Sequence, residues 1–223
     1  ILVGSGSSRP SGFTHLGDGR VLFSANDGTS GRELWITDGT APGTVLFKDI
    51  VVGGSSSPTG LTALGDGRFL FSARDSTNGE ELWVTDGTAA GTVLLRDIVR
   101  DPNDAFPSGF TALGDGRFLF QAKDATNGSE LWVTDGTGAG TVRLKDIFPG
   151  TGSSNPSGFT ALGDGRALFS ASDGLNGQEL WITDGTTVGT ALLKDIYAGS
   201  NSSSPSAFIA LGDGRFLFGA RDA

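Results

Sequence analysis

One block of text recurs along this chain, and it limits the fold more than any other feature. Glu-Leu-Trp-x-Thr-Asp-Gly-Thr occurs four times, with Trp35, Trp83, Trp132 and Trp181 at steps of 48, 49 and 49 residues. Leu-Gly-Asp-Gly-Arg occurs five times, beginning at Leu16, Leu64, Leu113, Leu162 and Leu211. From that Leu to the next Trp is always 19 residues, and from the Trp to the Ile that follows Lys-Asp or Arg-Asp always 15. The single-residue difference in period therefore falls between that Ile and the next Leu. The text there is irregular and rich in Ser, Gly and Pro (53–60, 100–109, 149–158, 198–206). Such a period means one supersecondary unit copied end to end, with the irregular stretch as a tolerant loop.

Each unit reads as four short strands. In the second unit they are Gly60–Leu64, Arg68–Asp75, Glu81–Asp86 and Thr92–Ile98. Asn78-Gly79 and Asp86-Gly87 sit between runs and supply the positive φ of tight hairpin turns. The runs are rich in aromatic and β-branched residues and too short for helices. Leu82 and Val84 point to one face and Trp83 to the other, so both faces are apolar. A sheet lying between two neighbouring sheets needs that pattern. The expected fold is all-β: a β-propeller of four-stranded antiparallel blades, 48–49 residues per repeat. An open β-solenoid of hairpins is the alternative. With strands ordered outwards from the first, the variable loops and the 28–32, 76–80, 125–129 and 174–178 hairpins should share one face. The uniform Leu-Gly-Asp-Gly-Arg and Asp-Gly-Thr-x-x-Gly-Thr turns should share the other.

Residues 1–223 read as a single repeat domain of four full units and a partial fifth. Ile1 opens the chain and methionine is absent, so the expectation is a piece of a longer protein. The fifth unit has the first two strands and stops at Asp222, the counterpart of Asp75. Further repeats or another chain are expected to complete it, since an open sheet edge invites pairing.

Composition narrows function by exclusion. Hydrophobic residues are 37%, with 15 Phe and 4 Trp, enough for a core. The absence of cysteine removes disulfides, thiol nucleophiles and Cys-ligated metals, and the single His15 removes poly-His sites. A net charge of −9 argues against nucleic acid as a partner. No run of about 18 apolar residues exists, so membrane insertion is not expected.

The twelve-residue pattern Glu-Leu-Trp-x-x-Asp-Gly-Thr-x-x-Gly-Thr stands at Glu33–Thr44, Glu81–Thr92, Glu130–Thr141 and Glu179–Thr190. It resembles the signature of a family of bacterial proteins described by that same repeat. The resemblance implies large, mostly secreted or surface-attached proteins, hence an extracellular or cell-surface location, and no general catalytic role.

Two sets of residues are candidates for chemistry. Trp35, Trp83, Trp132 and Trp181 could stack on sugar rings while Glu33, Glu81, Glu130 and Glu179 bond hydroxyls. The alternative is that each Trp is a wedge between blades. The pairs Asp27 and Glu33, Asp75 and Glu81, Asp124 and Glu130, and Asp173 and Glu179 flank one hairpin each and could hold Ca²⁺. The alternative is that these aspartates cap turns and pair with Arg20, Arg68, Arg117 or Arg166. No other cofactor is expected. The Asp-Gly-Thr turns lack the lysine and helix of a phosphate cradle and read as Asx turns. The Lys-Asp and Arg-Asp pairs (Lys48, Arg96, Lys145, Lys194) read as edge-strand charges against aggregation. Paired acids could cleave glycosides, but every unit carries the same groups, whereas an enzyme has one asymmetric site. The expected function is a non-catalytic extracellular binding or adhesion module, with repeated weak contacts to a glycan or surface protein added by avidity. The alternatives are a purely structural domain of a large surface assembly and a calcium-stabilised scaffold.

Overall fold

A computed structural model describes residues 1, 6–100, 103–211 and 215–222. All its regular structure among these residues is β. The first sheet is β1 (Ser11–His15), β2 (Val21–Asn26), β3 (Arg32–Thr37) and β4 (Val45–Lys48). The second is β5 (Thr59–Ala63), β6 (Phe69–Asp75), β7 (Gly79–Thr85) and β8 (Val93–Arg96). The third is β9 (Ser108–Ala112), β10 (Phe118–Asp124), β11 (Gly128–Thr134) and β12 (Val142–Lys145). The fourth is β13 (Ser157–Ala161), β14 (Ala167–Ser172), β15 (Gln178–Thr183) and β16 (Ala191–Lys194). A last pair is β17 (Ser206–Ala210) and β18 (Phe216–Gly219). Each sheet is an antiparallel meander in sequence order. The four-stranded repeat is as the sequence predicts. No helix is long and apolar enough to cross a membrane among the described residues.

One register is copied in every full sheet. The second strand pairs with the third so that Phe23 faces Trp35, Phe71 faces Trp83, Phe120 faces Trp132 and Phe169 faces Trp181. Two places further, the glutamates Glu33, Glu81, Glu130 and Glu179 lie opposite Ala25, Ala73, Ala122 and Ala171. The fourth strand ends earlier than the sequence suggests. In the second sheet it stops at Arg96 rather than Ile98, because the amide of Ile98 turns away to bond Glu81.

The chain divides into two compact units, Ile1–Pro107 and Ser108–Ala223. In the first, Leu22, Leu34 and Ile36 of the first sheet pack with Phe71, Ala73 and Trp83 of the second. In the second, Leu119, Leu131 and Val133 of the third sheet pack with Phe169, Ala171 and Trp181 of the fourth. Each core therefore joins the aliphatic face of one sheet to the tryptophan face of the next. Burying a side chain of this size contributes about 1.5–3 kcal/mol, so a sheet with two oily faces gains stability by stacking on its copy.

The loops divide between two ends of the sheets within each unit, as the topology predicts. The hairpin between second and third strands lies against the irregular loop leaving the same sheet. The amides of Arg32, Ser129 and Gln178 donate there to the hydroxyls of Ser55, Ser153 and Ser202 at 2.9–3.0 Å. A Cβ on Gly79 (φ +78°) would collide with the carbonyl of Asn103, so this hairpin needs glycine for conformation and for room. At the other end Arg117 of one turn donates to the carbonyls of Gly185 (2.7 Å) and Asp184 (3.1 Å) in another. The Leu211–Arg215 turn is closed by the Leu211 amide on the Arg215 carbonyl, while its Gly212–Gly214 stretch lies outside the described residues.

Candidate functional site

The motif glutamates are buried polar groups met by donors from the loop that leaves each sheet. Glu33, Glu81, Glu130 and Glu179 are all fully buried. A buried carboxylate must be hydrogen-bonded to be tolerated. Glu33 accepts from the Ile50 amide at 2.9 Å, and from the Ser56 amide and hydroxyl at 2.7 and 2.5 Å. Glu130 accepts from the Ile147 amide (2.7 Å) and the Ser154 amide and hydroxyl (3.0 and 2.7 Å). Glu179 does the same with Ile196 (2.8 Å) and Ser203 (2.8 and 2.6 Å). Glu81 is the exception. It accepts from the amides of Ile98 (2.8 Å) and Val99 (3.2 Å), and Ala105 stands where the others have serine.

These serines were not singled out by sequence reasoning, because they lie in the loops read as irregular. Each begins a Ser-x-Pro triplet (Ser56 to Pro58, Ser154 to Pro156, Ser203 to Pro205), with Ala105 to Pro107 as the variant. The middle residue has positive φ in every case: Ser57 +48°, Phe106 +50°, Asn155 +45°, Ser204 +48°. Non-glycine residues rarely adopt this conformation. Here it reverses the chain so that serine amide and hydroxyl both face the carboxylate. The serine carbonyl points the other way and accepts the amide of the following sheet's second strand: Arg74 on Ser56 (2.9 Å) and Ser172 on Ser154 (3.0 Å). The glutamate of one sheet is thus tied through one serine to the backbone of the next.

Burial pushes the carboxyls of Glu33 and Glu130 up, against the serine hydroxyls that hold them down. For Glu81 burial raises the value to about 8, with the two amides opposing it and Asp97 and Asp104 adding to it. Asp104 also accepts the Glu80 amide at 2.8 Å and pairs with Arg74.

The proposed sugar-stacking surface is corrected. Trp35, Trp83, Trp132 and Trp181 are only 5–8% exposed, so none offers an open indole face. Trp83, Trp132 and Trp181 lie tilted against Phe71, Phe120 and Phe169, with centroids 6.2–6.3 Å apart. Trp35 packs with Phe23, Ala25 and Leu46. The partner glutamates have no exposed oxygen with which to meet a hydroxyl.

The aspartates of the paired acids are engaged within their own hairpins. Asp27 accepts from the amides of Thr29 and Ser30 (2.8 and 2.7 Å), which hold its carboxyl below the usual range. Asp75, Asp124 and Asp173 cap the same turn through the amides of Asn78, Asn127 and Asn176 at 2.6–2.8 Å. Glu33, Glu81, Glu130 and Glu179 turn inward to their loops instead. No group of three metal-ligating side chains converges among the described residues. The arginines expected to pair with these aspartates bond within their own turns, Arg20 to Asp18 and Arg166 to Asp164, both at 2.6 Å.

The remaining motif residues also hold backbone in place. Asp38 accepts from the amide and hydroxyl of Thr40 (2.9 and 2.7 Å), an Asx turn as expected. A Cβ on Gly43 would strike that carboxylate, so the second glycine of the motif provides room rather than unusual φ. The Lys-Asp pairs are not simple surface charges. Lys48 donates to the Ala89 carbonyl (3.0 Å) and Lys145 to that of Thr190 (2.6 Å), each reaching the turn of the next sheet. His15 is exposed on β1.

No family model matches the chain, and no curated protein does. Solved structures do. A puromycin hydrolase, crystallised as a mutant, matches with a TM-score of 0.54 at 14% identity, over 94% of this chain and 32% of that one. Prolyl oligopeptidase B from Galerina marginata matches at 0.49 and 13%, over 89% and 29%. An α-L-arabinofuranosidase from Clostridium thermocellum matches at 0.37 and 14%, over 94% and 80%. The chain spans about a third of the length of the first two. At these identities the likeness concerns the path of the backbone, and the first match supports the repeated-sheet fold alone.

Proposed function

We propose that this protein is a non-catalytic repeat scaffold of β-propeller type, working in an extracellular or cell-surface setting. Contact with partners is made by its variable loops rather than by its repeated motif. The observation that carries this reading is the fate of the motif itself. Its glutamates, tryptophans, aspartates and glycines are engaged in holding strands, turns and neighbouring sheets together. The propeller arrangement is supported by two-faced four-stranded meanders stacked through tryptophan and by the fold likeness to the puromycin hydrolase. Membership of the Glu-Leu-Trp repeat family rests on the four copies of the twelve-residue pattern.

The residues free to vary and to meet a partner include Leu175 and Val52, 76% and 88% exposed in loops at one end of their sheets. The test combines a glycan array with display on bacterial cells. Substituting Leu175 or Val52 by Ser should change retention without changing melting temperature, whereas Glu130→Ala should lower melting temperature. Several equivalent glycan sites per chain, lost one by one as successive tryptophans are replaced in variants that stay folded, would overturn the reading.

A further inference from the structure

Three hairpins between second and third strands carry Asn-Gly at the same place behind an aspartate: Asp75 with Asn78-Gly79, Asp124 with Asn127-Gly128 and Asp173 with Asn176-Gly177. The first sheet has Ser30-Gly31 there. Asparagine before glycine is prone to deamidation, because a residue without Cβ leaves its backbone nitrogen open to the preceding side chain. A hydrogen bond that keeps the asparagine side chain turned to another group opposes that attack. In the second sheet Asn78 Nδ2 donates to Asp75 at 2.8 Å, and in the fourth Asn176 Nδ2 donates to Asp173 at 2.7 Å. In the third, Asn127 Nδ2 lies 3.1 and 3.3 Å from the two oxygens of Asp124, and its shortest bond, 2.9 Å, goes to the hydroxyl of exposed Thr126. The third sheet also differs in what else reaches its aspartate. Opposite the motif tryptophan its fourth strand carries Arg143, where the other sheets carry Leu46, Leu94 and Leu192. Arg143 donates to Asp124 Oδ2 at 3.2 Å and stands 4.0 Å from Asp146. A carboxylate oxygen shared with a cation holds a neutral amide less closely.

We propose that Asn127 is the first of the three Asn-Gly pairs to deamidate in the folded chain, and that Arg143 sets it apart by drawing on Asp124. In the step, the Gly128 backbone nitrogen attacks Asn127 Cγ. The Cγ–Nδ2 bond breaks, and the nitrogen leaves as ammonia, taking up the proton that Gly128 gives up. Water opens the resulting succinimide at either carbonyl and leaves aspartate or isoaspartate at 127. Either product adds a negative charge to the hairpin that holds Asp124. The isoaspartate form also routes the main chain through Cβ, one atom too many for the pairing of Asp124 with Gly128. The variable hairpin of the third sheet thus carries a slow, one-way change of charge and shape that the other two resist. This goes beyond the scaffold reading and does not depend on it.

The test incubates the folded chain in mildly alkaline buffer and follows the peptides that contain Asn78, Asn127 and Asn176 by mass spectrometry. Asn127 should deamidate about fivefold faster than the other two, the effect of one weakened hydrogen bond on a rate. In urea the three pairs should react at similar rates, which separates the folded structure from local sequence. Arg143→Leu, which installs the residue of the other sheets, should slow Asn127 to the rate of Asn78 and Asn176, with folding checked by melting temperature. Arg143→Gln, which keeps the length and removes the charge, should act in the same direction. Asp173→Ser should do the converse and raise the rate at Asn176. A folded-state order identical to that in urea, a lead taken by Asn78 or Asn176, or an Asn127 rate unmoved by both Arg143 variants would overturn the proposal.

Discussion

Glu81 and Glu130 occupy the same place in the second and third sheets, with the same burial and the same motif around them, yet they are held differently. Glu130 accepts three hydrogen bonds, one from the Ser154 hydroxyl, while Glu81 accepts two, both from amides. The loop that meets the carboxylate differs. After the second sheet it carries Ala105, whose amide goes to the Glu80 carbonyl at 2.9 Å, and it brings Asp104 close. The comparison teaches that the motif glutamate does not act alone. A single hydroxyl on the loop decides how comfortably it carries charge in a dry environment.

The largest effect should come from deleting the better-held carboxylate. Glu130→Ala leaves two buried amides and a hydroxyl without their acceptor, and should cost about 3 kcal/mol in urea unfolding. The same change at Glu81 should cost about half as much. Equal losses at the two positions would break the comparison.

The next effect is one of pH. Glu81 is raised from 4.5 to about 8 in the folded state, so folding favours its protonated form. Its stabilising contribution is complete below about 4.5 and is lost as pH rises through about 8. The first unit should therefore lose about 2–3 kcal/mol between pH 6 and 9. Glu81→Gln should flatten that slope, as read from melting temperatures across the range.

Exchanging the loop residues should move each glutamate toward the other. Ser154→Ala should cost about 1 kcal/mol and shift the titration of Glu130 upward, and Ala105→Ser should gain up to about 1 kcal/mol and shift that of Glu81 downward. The smallest effect expected is that of a chelator. Removing divalent ions should move the melting temperature by less than about 1 °C, because the Asp27-type carboxylates are engaged by amides. A calcium-dependent rise would restore those aspartates as a metal site.

Much of this architecture was readable in the sequence because it rests on local rules. Asn78-Gly79 marks a hairpin, alternation at Leu82, Trp83 and Val84 marks a strand covered on both sides, and Asp38 ahead of Gly39 marks an Asx turn. The burial of the tryptophans was one of two readings of the same residues, since a side chain that stacks on sugar also packs well against leucine. The serine tie was hidden by the choice of origin. Counted from the preceding Trp, Ser56 and Ser154 lie 21 and 22 residues away and look unaligned. Counted to the following Leu, Ser56, Ala105, Ser154 and Ser203 all stand 8 residues before it. The loop belongs in register to the sheet it enters, while its hydrogen bond goes back to the sheet it leaves. That bond spans 24 residues from Glu130 to Ser154, beyond the reach of any local pattern.

The two-way serine has a bearing on how the molecule comes apart. Its hydroxyl belongs energetically to one sheet and its carbonyl to the next, so neither can fray without loosening its neighbour. Nearest-neighbour coupling of this kind makes a stack of weak modules open in concert over short distances. Within the second unit, the slowly exchanging amides of Ile147, Ser154 and Ser172 should then report one shared opening event rather than three separate ones.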